Sequence, residues 1–199
     1  MSDIQIRPAR VQDAAELARL DNVASHGLSE WYWRQQATNA ERTNADNWLR
    51  LSQAAMARSD YLPGWSNTII AEADGEIVGA ASGVLTNAGG DEIAVDSVAL
   101  FEPIFELFHQ AAGDWLLDWL AVDETAQGQG VGGSLLDNCI SKAKMSGASQ
   151  ASLVVEDSNL SALQLYHSRG FRKRDQRPYI PFNETSQTQN WLLLSAPVT

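Results

Sequence analysis

Residues 115–133 read Trp-Leu-Leu-Asp-Trp-Leu-Ala-Val-Asp-Glu-Thr-Ala-Gln-Gly-Gln-Gly-Val-Gly-Gly. From Trp115 to Val122 the run is apolar except for Asp118, and its length suits a central strand buried on both faces. Four of the six residues from Gly128 to Gly133 are glycine. A helix follows from about Gly130 to Ser146, with Val131, Leu135, Leu136, Cys139, Ile140 and Ala143 on one side and Gly147 placed to end it. Glycine lets the main chain come close to a ligand. The first amides of a helix have no partner within it, and with the positive end of the helix dipole they form a pyrophosphate site. The bland alternative is a tight strand-to-helix turn without a ligand, but four glycines exceed what such a turn needs.

Gly128, Gly130 and Gly133 also satisfy the G-x-G-x-x-G dinucleotide pattern, and Glu156 follows where a ribose-binding acid is expected. Too little chain follows Gly133 for the further βα units that such a domain requires. No Lys-Ser/Thr pair follows the glycines, which excludes a P-loop.

Outward from this segment, Ala151 to Val155 reads as a strand, Asn159 to Arg169 as a helix ended by Gly170, and Phe171 as the start of another strand. Trp191 to Leu194 reads as the last strand. On the other side, Ile4-Gln5-Ile6 is a short strand ended by Pro8, and Val11 to Val23 carries a helical stripe. A short helix is expected from Trp31, and a second through Trp48, Leu49, Leu51 and Met56, capped by Asn44 or Asp46. Thr68 to Ala73 and Glu76 to Leu85 are two strands joined by the hairpin pair Asp74-Gly75. Asn87 to Gly90 is a loop. Residues 92–114 hold apolar clusters (Ile93, Val95, Val98; Phe101, Ile104, Phe105, Leu107, Phe108) without a clear period. The second half alternates strand and helix, an α/β layer architecture.

The chain has 199 residues, 44% of them hydrophobic, which suits one compact domain over 1–199. Its net charge of -11 opposes binding to nucleic acid or anionic membranes and leans towards cationic ligands. Cys139 is the single cysteine, so no intrachain disulfide can form. The first residues lack the pattern of a signal peptide, and apolar runs are too short for a bilayer, so a soluble cytoplasmic protein is expected. His26, His109 and His167 lack metal-ligand spacing, and no metal is expected.

Leu120-Ala121-Val122 followed by Gln127-x-x-Gly130-x-Gly132 resembles the Gln/Arg-x-x-Gly-x-Gly/Ala signature of the GNAT superfamily of N-acetyltransferases. The segment Asn159-x-x-Ala162-x-x-Leu165-Tyr166, closing with Gly170-Phe171, is similar to the second cofactor-contacting helix of that family. The two motifs lie in order and in register, and cover roughly residues 115–175. The resemblance implies a GNAT-like fold, an α/β fold with a central mixed, twisted sheet of about six to seven strands flanked by helices and splayed between the fourth and fifth strands. It implies an acyltransferase using acetyl-CoA as cosubstrate, with a primary amine as acceptor, a small molecule in preference to a protein. A homodimer is the default symmetric assembly.

Residue by residue, the resemblance implies that the turn of Gln127, Gly128, Gln129, Gly130, Val131, Gly132 and Gly133 binds the pyrophosphate. Leu120, Ala121 and Val122 would pair through their main chain with the pantetheine arm, and Asn159 would hydrogen-bond it, although Asn is also a preferred helix N-cap. Tyr166 would be the general acid for the departing thiolate; a tyrosine in an apolar helix is otherwise a packing residue. Some relatives acting on protein N-termini carry a base on the fifth strand, five positions before the Asn. Here that position is Val154, so the assignment does not carry over. Asp118 is the base candidate, since burial in the apolar strand would raise its pKa. Glu76, Asp96 and Glu156 are weaker candidates, and a water relay is another route. Trp31 and Trp33 could form an aromatic wall for the amine, or could pack between helices. Residues 28–65 and 92–114 would form the acceptor side. Cys139 reads as a core thiol rather than a nucleophile. Two other functions stay open on the sequence: a non-catalytic CoA-binding sensor, and a dinucleotide-dependent oxidoreductase.

Overall fold

The computed structural model describes residues 4–37, 47–87, 99–184 and 186–198. Its strands are β1 (Ile4–Pro8), β2 (Thr68–Ala73), β3 (Glu76–Leu85), β4 (Trp115–Val122), β5 (Gln150–Glu156), β6 (Arg172–Pro178) and β7 (Asn190–Pro197). Its helices are α1 (Ala14–Ala24), α2 (Leu28–Gln36), α3 (Asn47–Met56), α4 (Glu102–Gln110), α5 (Val131–Met145) and α6 (Leu160–Ser168). The strands form one mixed sheet in the order β1-β2-β3-β4-β5-β7-β6. The chain divides into two compact units, Met1–Gly83 with Trp119–Asn138, and Val84–Asp118 with Cys139–Thr199.

In the first unit, β1 and β2 pair antiparallel from Ile4↔Ala73 to Pro8↔Ile69, and β2 and β3 form a hairpin. Asp74 and Gly75 turn that hairpin with φ of 53° and 85°, the left-handed pair that matches strand twist. Leu17, Leu20, Met56, Ile70 and Trp119 lie in one buried cluster. The α2 helix starts at Leu28, three residues before the position expected from the tryptophans. Gly27, at φ 92°, ends the preceding segment and re-aims the chain there. The proposed caps Asn44 and Asp46 lie outside the described residues.

In the second unit, β5 and β7 pair antiparallel from Gln150↔Pro197 to Glu156↔Trp191, and β6 pairs with β7. The parallel β4–β5 pairing is short. It runs from Trp115↔Ala151 to Leu117↔Leu153 and stops there, so the described register matches the expected splay between the fourth and fifth strands. The segment read as patternless contains α4, with Pro103 in its first turn and Leu107 buried. Phe101, Phe105 and Phe108 stack successively along it at 6.1 Å. Ile93, Val95, Val98 and the loop 88–90 lie outside the described residues.

The expectation that β4 is buried on both faces needs correction. Trp115, Leu117, Trp119 and Ala121 are buried, but on the other face Leu116 is buried, Asp118 is exposed and Leu120 and Val122 are half-buried. A carboxylate in that row opens the face to water. Trp115, Trp119 and Trp191 are core residues.

Candidate active site

The end of β4 is held by its main chain. Asp123, immediately after Val122, donates its N–H to the Val78 carbonyl at 2.9 Å, and its carbonyl accepts the Ala126 N–H at 2.9 Å. Gln127 Nε2 reaches back to the Val122 carbonyl at 3.3 Å, so the glutamine of the signature locks the strand exit. Gln127 therefore has a structural partner besides the ligand role expected for it.

Beyond this knot the chain is open. Gly128 has φ 72° and Gly130 φ 86°, and a Cβ added at either would meet nothing within 4 Å. These glycines therefore serve backbone conformation and leave free space above the turn. Among the described residues the amides of Gly128 to Gly133 donate to no main-chain carbonyl outside the helix, and the first bond of α5 is Ser134 N–H to Gly130 O at 3.0 Å. Amides at the positive end of a fifteen-residue helix, with the chain solvent-exposed from Gln127 to Gly130, could hold an anion. Residues of this kind and geometry fit a pyrophosphate.

Asn159 caps α6. Its Oδ1 accepts the Ala162 N–H at 3.2 Å and the Ser161 hydroxyl at 3.2 Å. Its Nδ2 has no protein partner among the described residues. Tyr166 is buried and its ring packs on Phe171 at 5.9 Å and 57°. Desolvation, together with the neighbouring Cys139 sulfur, holds its phenol well above the ordinary tyrosine range, so it is protonated at neutral pH. Burial pushes the Cys139 thiol up to about 12, which keeps it from being a thiolate.

The family model for acetyltransferases of the GNAT family matches residues 25–171. The chain is a GNAT acetyltransferase. Solved structures agree on the fold. An acetyltransferase at 24% identity superposes with a TM-score of 0.67, covering 98% of this chain and 100% of that one. A putative acetyltransferase from Salmonella typhimurium, solved with acetyl-CoA, has 21% identity and a TM-score of 0.59 over 100% of this chain and 95% of that one. The ribosomal-protein-S18-alanine N-acetyltransferase of Escherichia coli has 18% identity and a TM-score of 0.54, over 99% and 95%. No curated protein matches the chain in sequence.

In this GNAT chain the base candidates separate clearly. Asp118 is exposed on β4, and desolvation by the protein around it raises its carboxyl to about 6. The expected burial is thus corrected, while the expected shift is present. Glu76 is exposed in a strand end, and Glu156 is buried opposite Trp191. Asp96 lies outside the described residues. Trp33 packs against Tyr32 at 5.1 Å and Tyr61 at 6.3 Å, and Trp31 beside it is half-buried. His167 is exposed, with Nδ1 at 3.0 Å from the Phe171 carbonyl. No group of His, Cys, Asp and Glu among the described residues could hold a metal. No helix among them is long and apolar enough to cross a membrane.

Gly79 is a further residue that shapes the site: a Cβ added there would stand 2.8 Å from the Ala121 carbonyl oxygen. A lone glycine inside a strand pattern is the signal that could have found it. Arg19 pairs with Asp123 at 2.7 Å, a contact for which no local sequence signal exists.

Proposed function

We propose that this acetyltransferase moves an acetyl group from acetyl-CoA to a primary amine by direct transfer in a ternary complex. The observation that carries the reading is the turn at Gly128 and Gly130: left-handed main chain, open space above it and amides at a helix start.

Acetyl-CoA supplies an activated acyl thioester when bound. The amides from Gly128 to Gly133, framed by Gln127, Gln129 and Val131, hold its pyrophosphate. The main chain of Leu120, Ala121 and Val122 follows the last β4–β5 pair and takes the pantetheine arm, the Val122 carbonyl being already engaged by Gln127, and Asn159 contributes its Nδ2. Asp118, with its carboxyl near 6, is ionised at neutral pH and basic enough to take a proton from the acceptor ammonium. As the amine nitrogen bonds to the acyl carbon and the C–S bond breaks, Tyr166 gives its proton to the departing sulfur. A thiol at about 12 is no nucleophile at neutral pH, so Cys139 takes no part. The charge of -11 favours a small cationic amine, with Trp31 and Trp33 as the aromatic groups on the acceptor side.

The test is release of free thiol from acetyl-CoA across a panel of polyamines, amino acids, aminoglycosides and N-terminal peptides. At least one amine should give turnover, and Tyr166→Phe should reduce kcat by about a hundredfold, the scale of a lost general acid. Unchanged turnover in Tyr166→Phe would remove its role. Acetyl-CoA binding with no turnover on any amine would favour a sensor instead.

A further inference from the structure

The Cβ sides of Gly128 and Gly130 face open space, so the location of the turn comes from its flanks, where Ala126 and Val131 are buried. On one side it continues into α5. On the other it hangs from Asp123, whose N–H, carbonyl and side chain are all engaged. The side-chain partner is Arg19 of α1. Its Nη1 donates to Asp123 Oδ1 at 2.7 Å and its Nη2 to Oδ2 at 2.9 Å, a parallel two-bond fork. Its Nε donates to Glu16 Oε2 at 2.8 Å, so the guanidinium plane is fixed from a second direction.

Charge gives the fork a second task. Asp123 and Glu124 precede the turn, in a chain of net charge -11, where an anionic ligand is to be held. A free carboxylate at the mouth of an anion site opposes binding. Arg19 cancels that of Asp123 through the two-bond fork.

We propose that Arg19 is a positioning residue for the cosubstrate: its bidentate hold on Asp123 fixes the exit of β4 and neutralises the carboxylate beside the pyrophosphate turn. This rests on the reading of the turn given under the proposed function. Lysine cannot replace it, because an ammonium lacks the planar fork.

The test measures the Kd of acetyl-CoA by titration calorimetry, with kcat and KM, on the full chain. Arg19→Gln is expected to weaken binding about tenfold, within the range of coupled neighbours, with kcat at saturation changed less than about twofold. Arg19→Lys, which keeps the charge and so guards against a folding defect, should lose about threefold. Arg19→Gln/Asp123→Asn should regain affinity to within about threefold of the wild type, because the stranded carboxylate is gone. Arg58→Gln, which breaks the exposed pair with Asp60, measures what loss of any one cation does. The inference is overturned if Arg19→Gln binds no worse than Arg58→Gln, or if the double variant stays as weak as Arg19→Gln. A wild-type chain that does not bind acetyl-CoA would overturn the functional reading and this inference together. Normal wild-type binding with an indifferent Arg19→Gln would overturn this inference alone.

Discussion

Gly79 of β3 lies against the main chain of Ala121 in β4: a Cβ at 79 would stand 2.8 Å from the Ala121 carbonyl oxygen and 3.3 Å from both Leu135 Cδ1 and Val131 Cγ1. A backbone oxygen has little room to yield in a strand, so the missing side chain lets β3, β4 and the start of α5 pack together. Gly79→Ala should destabilise by about 2 kcal/mol, the scale of overpacking. In a chain of this size that lowers Tm by about 4–8 °C. Because Ala121 belongs to the strand end assigned to the pantetheine arm, KM for acetyl-CoA should rise as well. A thermal melt at normal Tm would contradict the close approach.

Gly130→Ala should behave in the opposite way. Nothing stands within 4 Å of the added Cβ, but φ is 86°. The stability cost should be only about 1 kcal/mol of left-handed strain. Affinity for acetyl-CoA should fall about tenfold, since the new methyl group fills the space above the amides. The comparison of Kd against Tm for the two glycine variants therefore separates packing from ligand space.

Asp118 gives a pH signature. Its carboxyl is raised from the ordinary 3.8 to about 6 by desolvation. A base must be ionised, so kcat/KM should climb through about pH 6, and Asp118→Asn should lose both the limb and most of the rate. Stability has the reverse sign. A raised folded pKa means the native state binds more protons, so this group's contribution is present below 3.8 and is lost as pH rises through about 6. Melts of the wild type and Asp118→Asn across pH 3.5–7 should therefore diverge, with the variant relatively more stable at the upper end.

Cys139 gives the control for direct transfer. A buried thiol pushed up to about 12 should resist thiol reagents in the native protein and react only on unfolding. Cys139→Ala should keep kcat within about threefold, since loss of a nucleophile would cost orders of magnitude more. Trapping of an acetylated Cys139 in a quench experiment would refute the direct route.

Much of the fold was legible because its signals are local. Asp74-Gly75 marks a hairpin whatever surrounds it, since the left-handed turn needs those residue types. Gly147 and Gly170, at φ 81° and 86°, end α5 and α6 for the same reason. The glycine turn and the Asn159–Phe171 register identify the family for a related reason: main-chain binding of a fixed ligand constrains residues near one another in the chain. The α4 helix does carry a helical stripe, with Phe101, Phe105 and Phe108 at i, i+4 and i+7, but apolar residues between and before them mask its period in the sequence.

The sequence by itself therefore determined the strand–glycine turn–helix unit, the order of elements around it and the acetyltransferase family. Tertiary structure alone decided three things. Asp118 is exposed on β4 and its carboxyl is raised by desolvation, and the run of apolar neighbours alone predicts burial instead. Gly79 is required by the Ala121 carbonyl, a residue distant in sequence. Arg19 meets Asp123 across 104 positions of chain. Charge pairing and close packing act through space, and a linear pattern carries them only where the chain happens to fold back on itself within a few residues.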